Sequence, residues 1–156
     1  MKQTQIIIPL LLLLLLTGLL ASCGITYRTL VRGKLRVQIH VSQMANQNSP
    51  VALDLLLIYD KALFEELLEV SAKEWFDKRE QYKRDHLAGQ AFQVWSWEWV
   101  PGQKIAEKIL PIRARTKGGI IFASYSSPGD HRLRFHPYKK IRINLGKNDF
   151  EVQRPE

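Results

Sequence analysis

Cys23 carries the one thiol in this chain of 156 residues. A thiolate can attack an electrophile, join a disulfide or bind a metal. A single cysteine rules out an intramolecular disulfide, so the fold has to hold by its core. The other groups able to do chemistry are His40, His86, His131 and His136, with Ser124, Ser126 and Ser127 beside Asp130 and His131. His131 and His136 are five apart, with no HExxH helix and no nearby cysteine, which gives metal ligation little support. The serines lack a Gly-x-Ser-x-Gly elbow, and neighbours in sequence do not make a triad. No glycine-rich phosphate loop occurs. The residues therefore predict neither catalysis nor a bound metal, and the histidines read as satisfied or exposed surface groups.

The sequence around Cys23 gives that thiol a use. Lys2 and the α-amine make a weakly positive start, and Ile6 to Leu16 is an apolar run of 11 residues containing seven leucines in a row. That is the length of a signal-peptide core. Leu20-Ala21-Ser22-Cys23 then resembles the lipobox of bacterial lipoproteins at all four positions. The resemblance implies a thioether from Cys23 to diacylglycerol, cleavage before Cys23 and acylation of the new amine. An uncleaved transmembrane anchor fits less well, since Ile6 to Ser22 gives 17 residues with a proline inside, against about 20 for a bilayer. Residues 1–22 are thus expected to be a cleaved leader, 23–33 a lipidated tether and 34–156 a single domain. Gly24 in place of aspartate implies the periplasmic face of the outer membrane. No cofactor is expected beyond the covalent lipid on Cys23.

The formal charge of +8 becomes +7 without Lys2, and the basic residues are scattered rather than gathered in one run. An exported protein rarely meets nucleic acid, so a solvated basic surface is the expectation, one that also suits anionic headgroups or an acidic partner.

The elements can be read from hydrophobic period. Leu35, Val37, Ile39 and Val41 alternate with Arg36, Gln38 and His40, as in a half-buried strand. A polar loop follows, and Val51 to Tyr59 reads as a strand buried more continuously. Asp60 is placed to cap a helix running to about residue 85, with Phe64, Leu67, Leu68, Ser71, Ala72, Trp75, Phe76 and Arg79 along one stripe. Ala91 to Trp99 is a strand with Trp95, Trp97 and Trp99 on one face and Phe92 and Val94 on the other. That ladder would cover the helix or form an exposed binding face, cross-strand packing being the commoner use. Val100-Pro101-Gly102-Gln103 is a turn. Ile105, Ile109 and Ile112 mark a strand with an irregularity near Pro111, and Gly119 opens another ending near Tyr125. Ile141 to Leu145 and Phe150 to Val152 form a terminal hairpin around Gly146. Short antiparallel strands with one inserted helical segment, about 61–85, predict a mainly β protein, a two-sheet sandwich closed over the helix.

This order of features resembles the TssJ family of type VI secretion lipoproteins. The lipobox Cys23 comes first, then the strand Leu35 to Val41 and a loop closed by Ser49-Pro50-Val51. The helix from Lys61, the Pro101-Gly102 turn, the strand Gly119 to Tyr125 and the hairpin Ile141 to Val152 complete the likeness. It implies a transthyretin-like β-sandwich without enzymatic activity. Its partner would be the periplasmic part of a TssM-like inner-membrane subunit, contacted through the first interstrand loop. Here that loop is Gln43, Met44, Ala45, Asn46, Gln47 and Asn48, expected to bind the partner while adding little to the fold. The other reading is a free periplasmic lipoprotein that binds a small ligand or chaperones cargo.

Overall fold

A computed structural model describes residues 33–86, 89–137 and 140–155. The leader, Cys23 and most of the tether therefore lie outside the described residues. Eight strands form two four-stranded sheets. The first sheet has the order β4-β1-β7-β8, with β1 at Gly33–Val41, β4 at Lys108–Ile112, β7 at Lys140–Leu145 and β8 at Phe150–Gln153. The second has the order β3-β2-β5-β6, with β2 at Val51–Ile58, β3 at Phe92–Trp99, β5 at Gly118–Ala123 and β6 at Arg132–Phe135. This is the expected mainly β sandwich.

Every β pair but one is antiparallel. The chain leaves the first sheet after β1, revisits it as the edge strand β4, and comes back at β7 running the same way as β1, so β1 and β7 pair in parallel, Val37 opposite Ile141 and Ile39 opposite Ile143. A parallel pair needs a long crossover, supplied here by the second sheet, the helices and β4. β6 is also additional to the sequence reading. Of its residues Phe135 alone is fully buried, too little apolar signal in four residues to announce a strand.

The continuous apolar run of β2 has a simple cause: it is covered on both faces. Leu53, Leu55 and Leu57 point between the sheets with Leu35, Val37, Ile143 and Ile121. Leu56 and Ile58 point the other way, under two helices, with Ile120, Phe122 and Phe92. The protein is therefore three layers deep.

The helical segment is two helices rather than one. Asp60 caps α1, Lys61–Leu67, accepting the Leu63 N–H at 2.8 Å. Ser71, read as part of the apolar stripe, instead caps α2, Ala72–Asp85, accepting the Glu74 N–H at 3.2 Å. Ser71-x-x-Glu74 has the capping-box spacing. α1 buries Leu63, Phe64 and Leu67, and α2 buries Ala72 and Trp75. Trp75 stacks on Phe122 at 5.1 Å and meets Phe92 edge-on at 6.2 Å. Gly118 is needed for close approach, because a Cβ there would run into the Phe64 ring.

Beneath Trp75 lies a buried acid. Asp54 is 1% exposed on the helix-facing side of β2. Its Oδ2 accepts from Trp75 Nε1 at 2.8 Å and from Arg79 Nη1 at 3.3 Å. The pair fixes α2 over the sheet.

The tryptophan ladder neither covers the helices nor stands free. Phe92 and Val94 face the helices, while Trp99 is buried and Trp95 and Trp97 are partly buried against the core between the sheets. Trp97 and Trp99 stack at 6.2 Å, and Lys108 Nζ lies 5.5 Å from the Trp99 ring centre. Because β3 and β4 are edge strands, these large rings fill the seam between them. In β4 Leu110 and Ile112 are buried while Ile109 is exposed, and Ile105 packs on the core ahead of the strand. The three isoleucines thus do not share one strand face. Pro111 is tolerated because β4 is an edge.

Candidate protein-interaction site

The topology sends the connections 42–50, 100–107, 124–131 and 146–149 to one end of the sandwich. β1, β3, β5 and β7 all finish there, and Leu145 pairs with both Val41 and Phe150. The first of these connections is the predicted partner loop.

Its centre is Asn46. The Asn46 backbone N–H donates to the Gly146 carbonyl at 3.1 Å, and its side-chain Nδ2 donates to the Pro50 carbonyl at 2.9 Å. Its Oδ1 accepts from the Ser126 N–H at 2.7 Å. One residue, through its backbone and its side chain, therefore ties three connections together. Gln47 N–H adds a bond to the Lys147 carbonyl at 3.1 Å, and Gly102 N–H bonds the Ser42 carbonyl at 3.1 Å.

These bonds hold an unusual backbone. Asn46, Gln47 and Asn48 have φ of 46°, 55° and 70°, three consecutive left-handed residues with no glycine among them. Asparagine enters that region more readily than most residues, and glutamine gains nothing comparable. Strain of this kind persists where the surroundings over-determine it.

The six predicted residues thus divide. Ala45 and Asn46 are buried, while Gln43, Met44, Gln47 and Asn48 are exposed, Met44 at 48%. This corrects the expectation that the loop adds little to the fold: its buried half is structural and its exposed half is a displayed surface. Asn46→Ala should cost about 1–3 kcal/mol, since it leaves the Ser126 N–H without its partner and removes the tie to Pro50. Urea denaturation will measure this, and a loss below about 0.5 kcal/mol would show that the loop is held by other means.

The neighbouring connection brings His131 and Tyr125 together, rings 5.0 Å apart. His131 is buried with a φ of 44°. Its Nδ1 lies 3.0 Å from Asp149 Oδ1 and its Nε2 is 2.7 Å from the Ser127 carbonyl. The ring braces the turn at 146–149 against the connection 124–131, and no serine hydroxyl is bonded to it. His131 is thus satisfied in the interior rather than at the surface. His40 is exposed, and His86 closes α2 through its N–H to the Tyr82 carbonyl. Among the described residues no cluster of histidine and carboxylate groups has the makings of a metal site.

Burial raises the Tyr125 hydroxyl well above the ordinary value of 10, and the Asp149 charge adds to this, with the Gly146 backbone opposing. Tyr82 is pushed up to about 12, by burial first and then by Glu66. Burial also raises Tyr59 against the charges of Arg113 and Arg115. A group whose folded pKa is raised contributes stability that is complete below its unfolded pKa and is lost as pH rises through the folded one. The domain should therefore weaken progressively from about pH 10 upward, with tyrosine ionisation and unfolding coinciding in an ultraviolet titration. Ionisation of all tyrosines at ordinary pKa values with the fold intact would contradict this.

A cleft of about 520 Å³ lies between α2 and the 124–131 connection, lined by Lys73, Phe76, Asp77, Tyr125, Ser127 and His131. Lys73 and Asp77 are already paired across one helix turn at 3.1 Å.

Neither a family model nor a curated protein sequence matches the chain. Solved structures do. The type VI secretion lipoprotein TssJ1 from Pseudomonas aeruginosa aligns with 80% of this chain and 98% of its own, at 16% identity and a TM-score of 0.57. Serratia marcescens Lip, a membrane-bound component of the type VI secretion system, aligns over 78% and 98% at 12% identity with a TM-score of 0.59. A chain in a structure of the TssM C-terminal domain from EAEC aligns over 78% and 98% at 13% identity, TM-score 0.58. Across that distance in sequence, this chain has the β-sandwich fold of the type VI secretion lipoproteins TssJ1 and Lip.

Proposed function

We propose that this chain is the non-enzymatic lipoprotein of a type VI secretion membrane complex. A lipid on Cys23 holds it at the periplasmic face of the outer membrane. The exposed residues Gln43, Met44, Gln47 and Asn48, set on Ala45 and Asn46, bind the periplasmic part of a TssM-like inner-membrane subunit.

The observation that carries this reading is the placement of the loop. β1 starts from the tether side and ends at Val41, so the loop stands at the end of the sandwich away from the tether. A lipid at one end and a rigid recognition loop at the other is the arrangement a bridge across an envelope requires. The likeness to TssJ1 and Lip supports the assignment, as does the lipobox.

The test is recovery of partners from membranes solubilised in mild detergent, using the full chain with a C-terminal tag and cross-linking. A large inner-membrane protein with a periplasmic domain is the expected product. Recovery of the chain alone would instead favour a free lipoprotein binding a small ligand, for which the cleft beside Tyr125 is the place to look.

A further inference from the structure

Several of the basic residues that are scattered in sequence are gathered in space. The end of the sandwich opposite the partner loop is where β1, β5 and β7 begin and β4, β6 and β8 finish. Gly33 pairs with Ile112, Ile58 with Gly118, Gly119 with Phe135 and Arg142 with Gln153. Lys34, Arg115, Lys117, Arg134 and Arg154 are exposed at or next to these strand ends, and Lys140 is half-buried among them. Arg113 lies close by, donating to the Gly89 carbonyl and stacking 5.0 Å from the Tyr59 ring centre.

Among the described residues, acids near this end have partners of their own, Glu66 lying against the Tyr82 hydroxyl. Asp60 is engaged in capping α1, and Asp85 accepts from the Gln81 amide. The loop end, by contrast, mixes signs, with Asp130, Asp149, Glu98 and Glu107 beside Lys104, Lys108 and Lys147. Folding therefore separates a net positive end from a nearly balanced one.

The positive end is also where the tether enters. Gly33 is only ten positions after Cys23, a reach of at most about 33–36 Å when fully extended. Arg28 and Arg32 lie in that stretch. We propose that this basic end is a membrane-docking face that rests on anionic phospholipid headgroups and turns the partner loop away from the bilayer. The proposal rests on the lipid-anchor reading above. A lipid tether fixes where the domain is and leaves its direction free. A charged face at the tether end supplies the direction, each basic side chain near an anionic surface adding roughly fivefold to the contact, about 1 kcal/mol.

The experiment uses the full lipidated chain in nanodiscs containing a trace of gadolinium-headgroup lipid. One set is phosphatidylcholine and the other phosphatidylcholine mixed with phosphatidylglycerol. The mass of the intact protein first reports whether diacylglycerol is present, so failure of the anchor reading is seen separately from failure of the docking face. Paramagnetic broadening of the amides near Lys117, Arg134 and Arg154 is expected in the phosphatidylglycerol discs. It should be lost in pure phosphatidylcholine and in about 1 M salt, where screening reaches down to about 3 Å. Lys34→Glu/Lys117→Glu/Arg154→Glu should lose it too, and the unaltered protein's dependence on lipid and salt decides the matter even if that variant folds poorly. Equal broadening in both lipids, or broadening centred on residues 43–48, would overturn the proposal. So would a basic end indifferent to phosphatidylglycerol that shifts on adding polyglutamate, which would assign the face to an acidic protein.

Discussion

Cys23→Ser should leave the chain unlipidated, unprocessed and missing from the outer-membrane fraction. Cys23 is the one cysteine, and a serine oxygen cannot take its place in the thioether. Each buried CH₂ of an acyl chain contributes about 0.8 kcal/mol, so more than one chain makes attachment effectively permanent and losing them removes it entirely. Labelled palmitate and membrane fractionation read the result. Label entering the variant, or its persistence in the outer membrane, would show that attachment does not run through Cys23.

Arg79→Met is expected to destabilise the domain by about 3 kcal/mol, the low end of what breaking a buried ion pair costs. The asymmetry of the pair sets this value. The Arg79 side chain is 36% exposed and can turn to water, whereas that of Asp54 is 1% exposed and cannot. Removing the guanidinium leaves the carboxylate with Trp75 Nε1–H as its one remaining partner. The double variant Asp54→Asn/Arg79→Met should recover much of the loss, because the amide keeps an acceptor for Trp75 Nε1–H and carries no stranded charge. Chemical denaturation of the three proteins tests the argument, and equal stability of Arg79→Met and the starting protein would refute it.

Much of the fold could be read from local pattern. β1 alternates because one face is solvated, and β7 and β8 announce their hairpin through Gly146. The misreadings share a cause: the deciding partner was distant in sequence or the local signal was outweighed. Ser71 and Glu74 offered the capping-box spacing, yet the apolar stripe through Leu68 and Ala72 suggested a continuous helix. Ile105, Ile109 and Ile112 looked alike as residue types, and pairing with β1 sets which of Ile109 and Ile112 faces the core. The tryptophans alternate as expected, but their face is chosen by β4 and the first sheet rather than by the helices.

That residues 43–48 connect two strands is legible in the sequence, and the interior of that connection is not. Asn46 reads as one more polar loop residue, whereas its partners at Ser126 and Gly146 lie 80 and 100 positions further on. Its left-handed backbone has no glycine to signal it. The charge separation between the two ends was invisible for the same reason, since it arises only when the strand ends are brought together.

The central claim, that the exposed half of this loop binds the inner-membrane partner, is tested most directly by an affinity measurement. The variant Met44→Asp/Gln47→Gly/Asn48→Gly changes displayed side chains, suits the left-handed backbone at 47 and 48, and leaves Ala45 and Asn46 in place. Its affinity for the periplasmic part of the subunit should fall at least tenfold, about 1.4 kcal/mol. Its urea midpoint should stay where surface changes usually leave it, within about 0.5 kcal/mol each. Unchanged affinity with the same stability would place the contact elsewhere on the domain and contradict the account.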